Sequence, residues 1–248
     1  MKSRLILDKV VPVASYEDAI VKFECFTKKT QTVSIGFINA YLLDQFMQNK
    51  IDQDLVDSFS ILYRDGIAIK IFMRCLSYAP GINANGTDLN PLLVKSAIDQ
   101  SLPVALIGDE SEVVQKMADK VSSLGAELVC ALDGFRSEQV YLDAISVLPR
   151  HCVIFLAMGM PKQEKLAQKI CLLFPDSGFV IVSTGAFFKF YTNSINRAPI
   201  WMRNSGLEWL YRLVKEPRRM FDRYIFGFFR IFRYLIEHKI SKSFRVIS

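Results

Sequence analysis

From the N-terminus to about residue 185, short apolar runs alternate with segments of helical periodicity, and each run gives way to a polar turn. The run 32–38 leads into Asn39, 59–62 delivers Arg64-Asp65-Gly66, and 104–107 ends at Gly108-Asp109. Further on, 128–131 leads to Asp133-Gly134, 153–157 to Met158-Gly159, and 180–182 stands just before Thr184-Gly185. Apolar runs this short are strands, and a strand–helix alternation buries its apolar faces as an α/β layer fold. The fold expected is a mostly parallel, doubly wound, Rossmann-like sheet. Ligands of such sheets lie beyond the carboxyl ends of the strands, where these polar turns sit.

After residue 198 the alternation stops and only helical patterns remain, up to about residue 240. The spacing predicts an α/β core over 1–196 in two lobes, with a nucleotide-binding part over about 100–196, and a basic helical appendage over 197–248. Charge is divided the same way. The appendage carries 12 Lys/Arg against 4 Asp/Glu, whereas the first 196 residues carry 19 against 21. At about 100° per residue, Arg212, Arg219, Arg223, Arg230 and Arg233 fall within roughly 80° of one another on one helix. Phe221, Ile225, Phe228, Phe229, Phe232, Leu235 and Ile236 fill its other side. Arginine interrupts this segment too often for a membrane span of about 20 apolar residues, which leaves an amphipathic helix lying in an anionic membrane surface. The aromatic face suits lipid better than a phosphate backbone, so no nucleic-acid partner is expected.

Several chemistries are disfavoured. His151 and His238 are the only histidines, and the five cysteines are widely spaced among apolar neighbours, which argues against a zinc site and a histidine triad. No Gly-x-Gly-x-x-Gly and no P-loop is present. Asp52-Gln53-Asp54 has a metal-nucleotide form but sits in a charged helical stretch with no strand before it, and reads as a solvated face. The first apolar stretch, closed by Asp8 and Lys9, is too short for a signal peptide, so a cytoplasmic location is expected.

Two motifs invite chemistry. In the segment from Ala157 to Glu164, a buried strand runs through Gly159 into a helix that starts at Pro161. Such a helix start offers unpaired N–H donors to an anion, and Lys162 and Gln163 can add side-chain donors; the alternative is ordinary strand-to-helix punctuation. Asp65 before Gly66, at a strand end, can take a proton from a substrate hydroxyl, or be a turn residue. Asn39 is either a substrate-binding amide or a helix cap. Gly108 either lies close to a nucleotide or simply turns the chain, and Thr87 or Asp88 is expected to cap the helix that follows Gly86.

Taken in order, Asp65-Gly66, Gly86-Thr87-Asp88-Leu89, the segment Met158 to Glu164, and Thr184-Gly185-Ala186-Phe187-Phe188 form a set. Arg197-Ala198-Pro199, the segment Gly206 to Leu213, and Glu216-Pro217-Arg218-Arg219 complete it. Over about residues 30 to 235 this set resembles the WecG/TagA/CpsF glycosyltransferases. The resemblance implies an inverting, metal-independent transfer without a cofactor. The donor would be a UDP-sugar (N-acetylmannosamine, its uronic acid, or a hexose) and the acceptor an undecaprenyl-diphosphate-linked sugar. Transfer would take place at the inner face of the cell membrane, in capsule, exopolysaccharide, teichoic-acid or common-antigen synthesis. It implies Asp65 as the base, with Asn39 and the loop Gly159, Pro161, Lys162, Gln163 and Glu164 lining the cleft. Gly66, Gly108 and Gly185 would border substrate, and Arg197, Arg212 and Arg219 would meet a diphosphate. Three positions depart from the family pattern: Phe37 stands where a threonine is common, Asn83 where a basic residue is, and Lys189 where an acidic one is. Asn83 is thereby placed at the sugar site. The alternative reading is a non-catalytic, membrane-associated nucleotide-binding or scaffold protein, and the oligomeric state is left open.

Overall fold

The computed structural model describes residues 6–221 and 225–245, except the side chains of 219 and 237–245. Six strands form one sheet: β1 Val33–Ile38, β2 Ile61–Arg64, β3 Pro103–Gly108, β4 Glu127–Leu132, β5 Val153–Ala157 and β6 Val180–Ser183. Their order is β2-β1-β6-β5-β3-β4, and every neighbouring pair is parallel. All six carboxyl ends therefore lie along one edge. The helices are α1 Tyr16–Thr27, α2 Ala40–Met47, α3 Gln53–Asp57, α4 Ile67–Cys75, α5 Gly86–Asp99, α6 Ser111–Ser123 and α7 Glu138–Ser146. They continue with α8 Lys162–Leu173, α9 Phe187–Tyr191, α10 Ile200–Asn204, α11 Glu208–Lys215, α12 Pro217–Phe221 and α13 Gly227–Arg245.

Strand residues alternate between the two faces of the sheet. Ile35, Phe37, Leu106, Phe155 and Val182 face a core built with α1, α5, α6 and α9. The opposite face is covered by two clusters. Ile38 and Leu62 pack with α2 and α4, and Ile107, Ile154, Leu156 and Ile181 pack with α7 and α8. The central strands β1, β5 and β6 are buried along their whole length, as a parallel sheet covered on both sides requires. The doubly wound α/β fold read from the sequence is the one present.

Three local expectations differ. The second strand ends at Arg64 rather than Leu62. Arg64 fits inside a buried strand because its guanidinium donates to the carbonyls of Pro80, Gly66 and Gly81, partners that lie outside the strand. The cap of α5 is Asn85, not Thr87 or Asp88: Asn85 accepts from the Asp88 N–H and donates its amide to the Asp88 carboxylate, a reciprocal cap. The C-terminal segment is several helices, not one. Glu216 leaves helical geometry at φ −134°, ψ 60°, and Pro217 restarts the chain as α12, so angular phase is not carried from Arg212 to Arg230.

The last helix is packed onto the core. Ile231 and Leu235 are buried in the same cluster as α2 and α4, so Leu235 does not belong to the outward apolar face. Arg230 turns inward to Asp44 of α2. Phe221, Phe228, Phe229, Phe232 and Ile236 remain exposed. Arg223 and the side chains of Arg219 and His238 lie outside the described residues. No helix among the described residues is long and apolar enough to cross a membrane.

Candidate active site

At one end of the sheet's carboxyl edge, Asp65 extends the β1–β2 pairing by one bond, its N–H donating to the Ile38 carbonyl at 2.8 Å. Gly66 follows at φ +96°, with nothing within 4 Å of where a Cβ would stand, so the turn opens into space on that side. Asn83 braces the turn from below. Its side-chain oxygen accepts from the Gly66 N–H at 2.7 Å and from Arg64 at 3.3 Å. Tyr16 donates to the Asn83 carbonyl at 3.1 Å. Burial, and then the Asp88 carboxylate, push the Tyr16 phenol up to about 12, with Asp65 adding to the rise and Arg197 and Arg64 opposing it. Tyr16, Asp65, Asp88, Arg64 and Arg197 are thus one electrostatic neighbourhood. Asn39, half-buried at the end of β1, caps α2 by accepting from the Leu42 N–H at 3.0 Å, the helix-cap alternative read from the sequence.

The turns after β3, β5 and β6 form the other end. Gly108 adopts φ +140°, and a Cβ there would lie 2.4 Å from the Ala157 backbone, so only glycine lets β3 lean this closely on β5. Asp109 then donates its N–H to the Ala157 carbonyl, and Gly134 donates to Asp109. Gly159 and Gly185 both hold positive φ with open space beside them, like Gly66. Pro161 caps α8 after a cis bond from Met160. Neither side chain expected to supply donors there points free into the crevice. Lys162 donates to the Gly134 carbonyl at 2.7 Å. Gln163 and Glu164 are 0% and 1% exposed and bonded to each other at 2.8 Å, which removes both from the surface of the cleft. Lys189 pairs with Asp109 and Glu110 at the tip of β3.

Between the two ends lies a chain of alternating charges. Arg197 donates to Asp88 at 2.5 and 3.2 Å and to Glu208 at 3.5 Å, Arg203 stands 4.0 Å from Asp88, and Arg212 donates to Glu208 at 3.1 Å. Burial alone would raise the Asp88 carboxyl, but hydrogen bonds from Arg197 and Asn85 outweigh it and hold it below the usual carboxylate range. The Arg212 guanidinium also lies over the Phe190 ring, 4.9 Å from its centre. Beside it a cavity of about 220 Å³ opens, lined by Ala186, Phe190, Tyr211, Arg212 and Lys215 among others. This network ties the segment from Arg197 to Arg212 to the start of α5.

The sequence did not single out Arg64, Tyr16, Asp88 or Glu208 as members of the site. The spacing Asn85-x-x-Asp88 was the signal available for Asp88, because it marks a reciprocal cap. Asp52, in the discounted metal-like motif, caps α3 by accepting from the Leu55 N–H. Among the described residues no group of three or more His, Cys, Asp or Glu is placed to hold a metal ion.

Compared with protein-family models, residues 5–245 match the one described as "Glycosyl transferase WecG/TagA/CpsF family".

Proposed function

Because the chain belongs to the WecG/TagA/CpsF glycosyltransferase family and its activity is therefore glycosyl transfer in cell-surface polysaccharide synthesis, we propose that it moves a sugar from a UDP-sugar to a lipid-diphosphate-linked sugar with inversion. The nucleotide would occupy the crevice at the ends of β3, β5 and β6, with its diphosphate toward Arg197, Arg212 and Arg219. Asp65 would take the proton from the acceptor hydroxyl while that oxygen attacks the anomeric carbon in line with departing UDP. One displacement inverts the centre. General-base assistance supplies about 10² to 10⁴ in rate, so positioning and charge stabilisation must supply the rest.

The observation that supports this reading best is a single juxtaposition. Asp65, the open glycine turns at 159 and 185, and an arginine chain at 197–212 share the carboxyl edge of one parallel sheet. The exposed aromatic side of α13 would rest in the inner face of an anionic membrane, bringing the lipid acceptor to that edge. The reading is tested by UDP release from a panel of UDP-sugars with a short-chain lipid-diphosphate sugar as acceptor. Release that depends on the acceptor supports it. Absence of release with every donor, from a folded preparation, contradicts it.

A further inference from the structure

Gln163 has one side-chain oxygen and two backbone N–H groups converging on it. Its Oε1 accepts from Gly159 at 3.2 Å and from Gly185 at 3.1 Å, while its Nε2 donates to Glu164 at 2.8 Å. Those two glycines come from different strands. Gly159 follows β5 and Gly185 follows β6, neighbours in the sheet, and both leave their strands at positive φ with open space where a side chain would be. The side chain joining them is fully buried. It therefore cannot meet a ligand at the surface of the crevice, yet it fixes the spacing of the two turns that border it.

We infer that Gln163 is a positioning residue for the donor nucleotide: its amide oxygen staples the Gly159 and Gly185 turns together and so sets the width of the crevice. The inference rests on the nucleotide reading given under Proposed function. A glutamine suits the task because a planar amide carries an acceptor and a donor on one rigid group. The oxygen must face the two glycine N–H groups, and the NH₂ must face the Glu164 carboxylate. Glutamate at this position would keep the acceptor. Two buried carboxyls at hydrogen-bond distance hold one proton between them, and that proton would replace the lost amide hydrogen toward Glu164. Alanine keeps neither function.

The test uses the full chain, with two variants and two readouts. Amide hydrogen exchange at Gly159 and Gly185 is measured by NMR, and UDP affinity is measured by calorimetry. In Gln163→Ala, both glycine amides should exchange at least roughly tenfold faster, and UDP affinity should fall roughly tenfold, the size expected when one such bonded group is removed. In Gln163→Glu, both amides should stay protected and UDP affinity should remain within about threefold of wild type. The staple is overturned if Gln163→Ala leaves the exchange of either glycine unchanged. A positioning role is overturned if Gln163→Glu keeps both glycines protected but loses UDP affinity as fully as alanine does, since that pattern requires the amide itself to touch the nucleotide. If wild type binds no UDP, the nucleotide reading fails, and the glycine amides still decide whether Gln163 holds the two turns.

Discussion

Arg230 of α13 donates three hydrogen bonds to the Asp44 carboxylate of α2, at 2.9, 3.1 and 2.7 Å, across 186 residues of chain. The Asp44 side chain is only 1% exposed and that of Arg230 33%, so the C-terminal helix supplies the countercharge of a buried carboxylate. Removing one member of such a pair leaves an uncompensated buried charge, at a cost of about 3 kcal/mol. Arg230→Leu should therefore lower the urea midpoint of the whole chain by that equivalent, and Asp44→Asn, which leaves only the partly exposed Arg230 charge that water can solvate, by distinctly less. Equal and small effects from both would show that the pair does not hold α13 in place. Removing α13 would also uncover the surface that Ile231 and Leu235 bury, so a chain cut after Glu216 should be less stable than the full chain.

Phe228, Phe229 and Phe232 project from α13 away from the core and are each more than half exposed. Replacing all three by serine should leave the unfolding curve nearly unchanged and weaken co-flotation with phosphatidylglycerol vesicles by roughly tenfold or more, since each buried aromatic contributes about 1 kcal/mol or more when inserted. Flotation equal to wild type would contradict membrane docking through this face.

The Asp88–Arg197 pair predicts a pH dependence. The folded Asp88 carboxyl is held below its ordinary value, so its contribution to stability is complete above the unfolded value of about 3.9 and is lost as pH falls through the folded one. Arg197→Gln should be less stable than wild type at pH 7, and the gap should shrink below about pH 4. Urea unfolding at both pH values checks this. A gap of the same size at pH 3 would mean that Arg197 stabilises by packing alone.

In the mechanism we propose, the charge of departing UDP would fall to Arg197, Arg212 and Arg219 without a metal, and Asp52 serves as a helix cap. Transfer should accordingly persist in excess EDTA. Loss of activity in EDTA, restored by Mg²⁺ or Mn²⁺, would overturn that assignment.

The sheet was legible because its strands are short, apolar and closed by glycine, asparagine or aspartate, all of which are local signals. Asp65-Gly66 and Gly159 could be placed at strand ends for the same reason. Arg64 could not be placed inside a strand, since two of the three carbonyls that satisfy it belong to residues 80 and 81. A helical wheel assumes one continuous axis, and the break at Glu216-Pro217 removes that assumption, so the arginine stripe mixed an inward-facing Arg230 with residues of other helices. The segment around Gln163 stood out as a motif. Its contacts did not, because the two glycines it joins follow separate strands.

The central claim is that Asp65, at the end of β2, is the base for a displacement on a nucleotide-sugar held at the far side of the same edge. It is tested most directly by comparing turnover and UDP affinity in wild type and Asp65→Asn, each first shown to be folded. A general base contributes about 10² to 10⁴ in rate, so turnover should fall by that factor while UDP affinity stays within about twofold. Turnover within about threefold of wild type would contradict the account, because an amide cannot accept the proton that the mechanism assigns to Asp65.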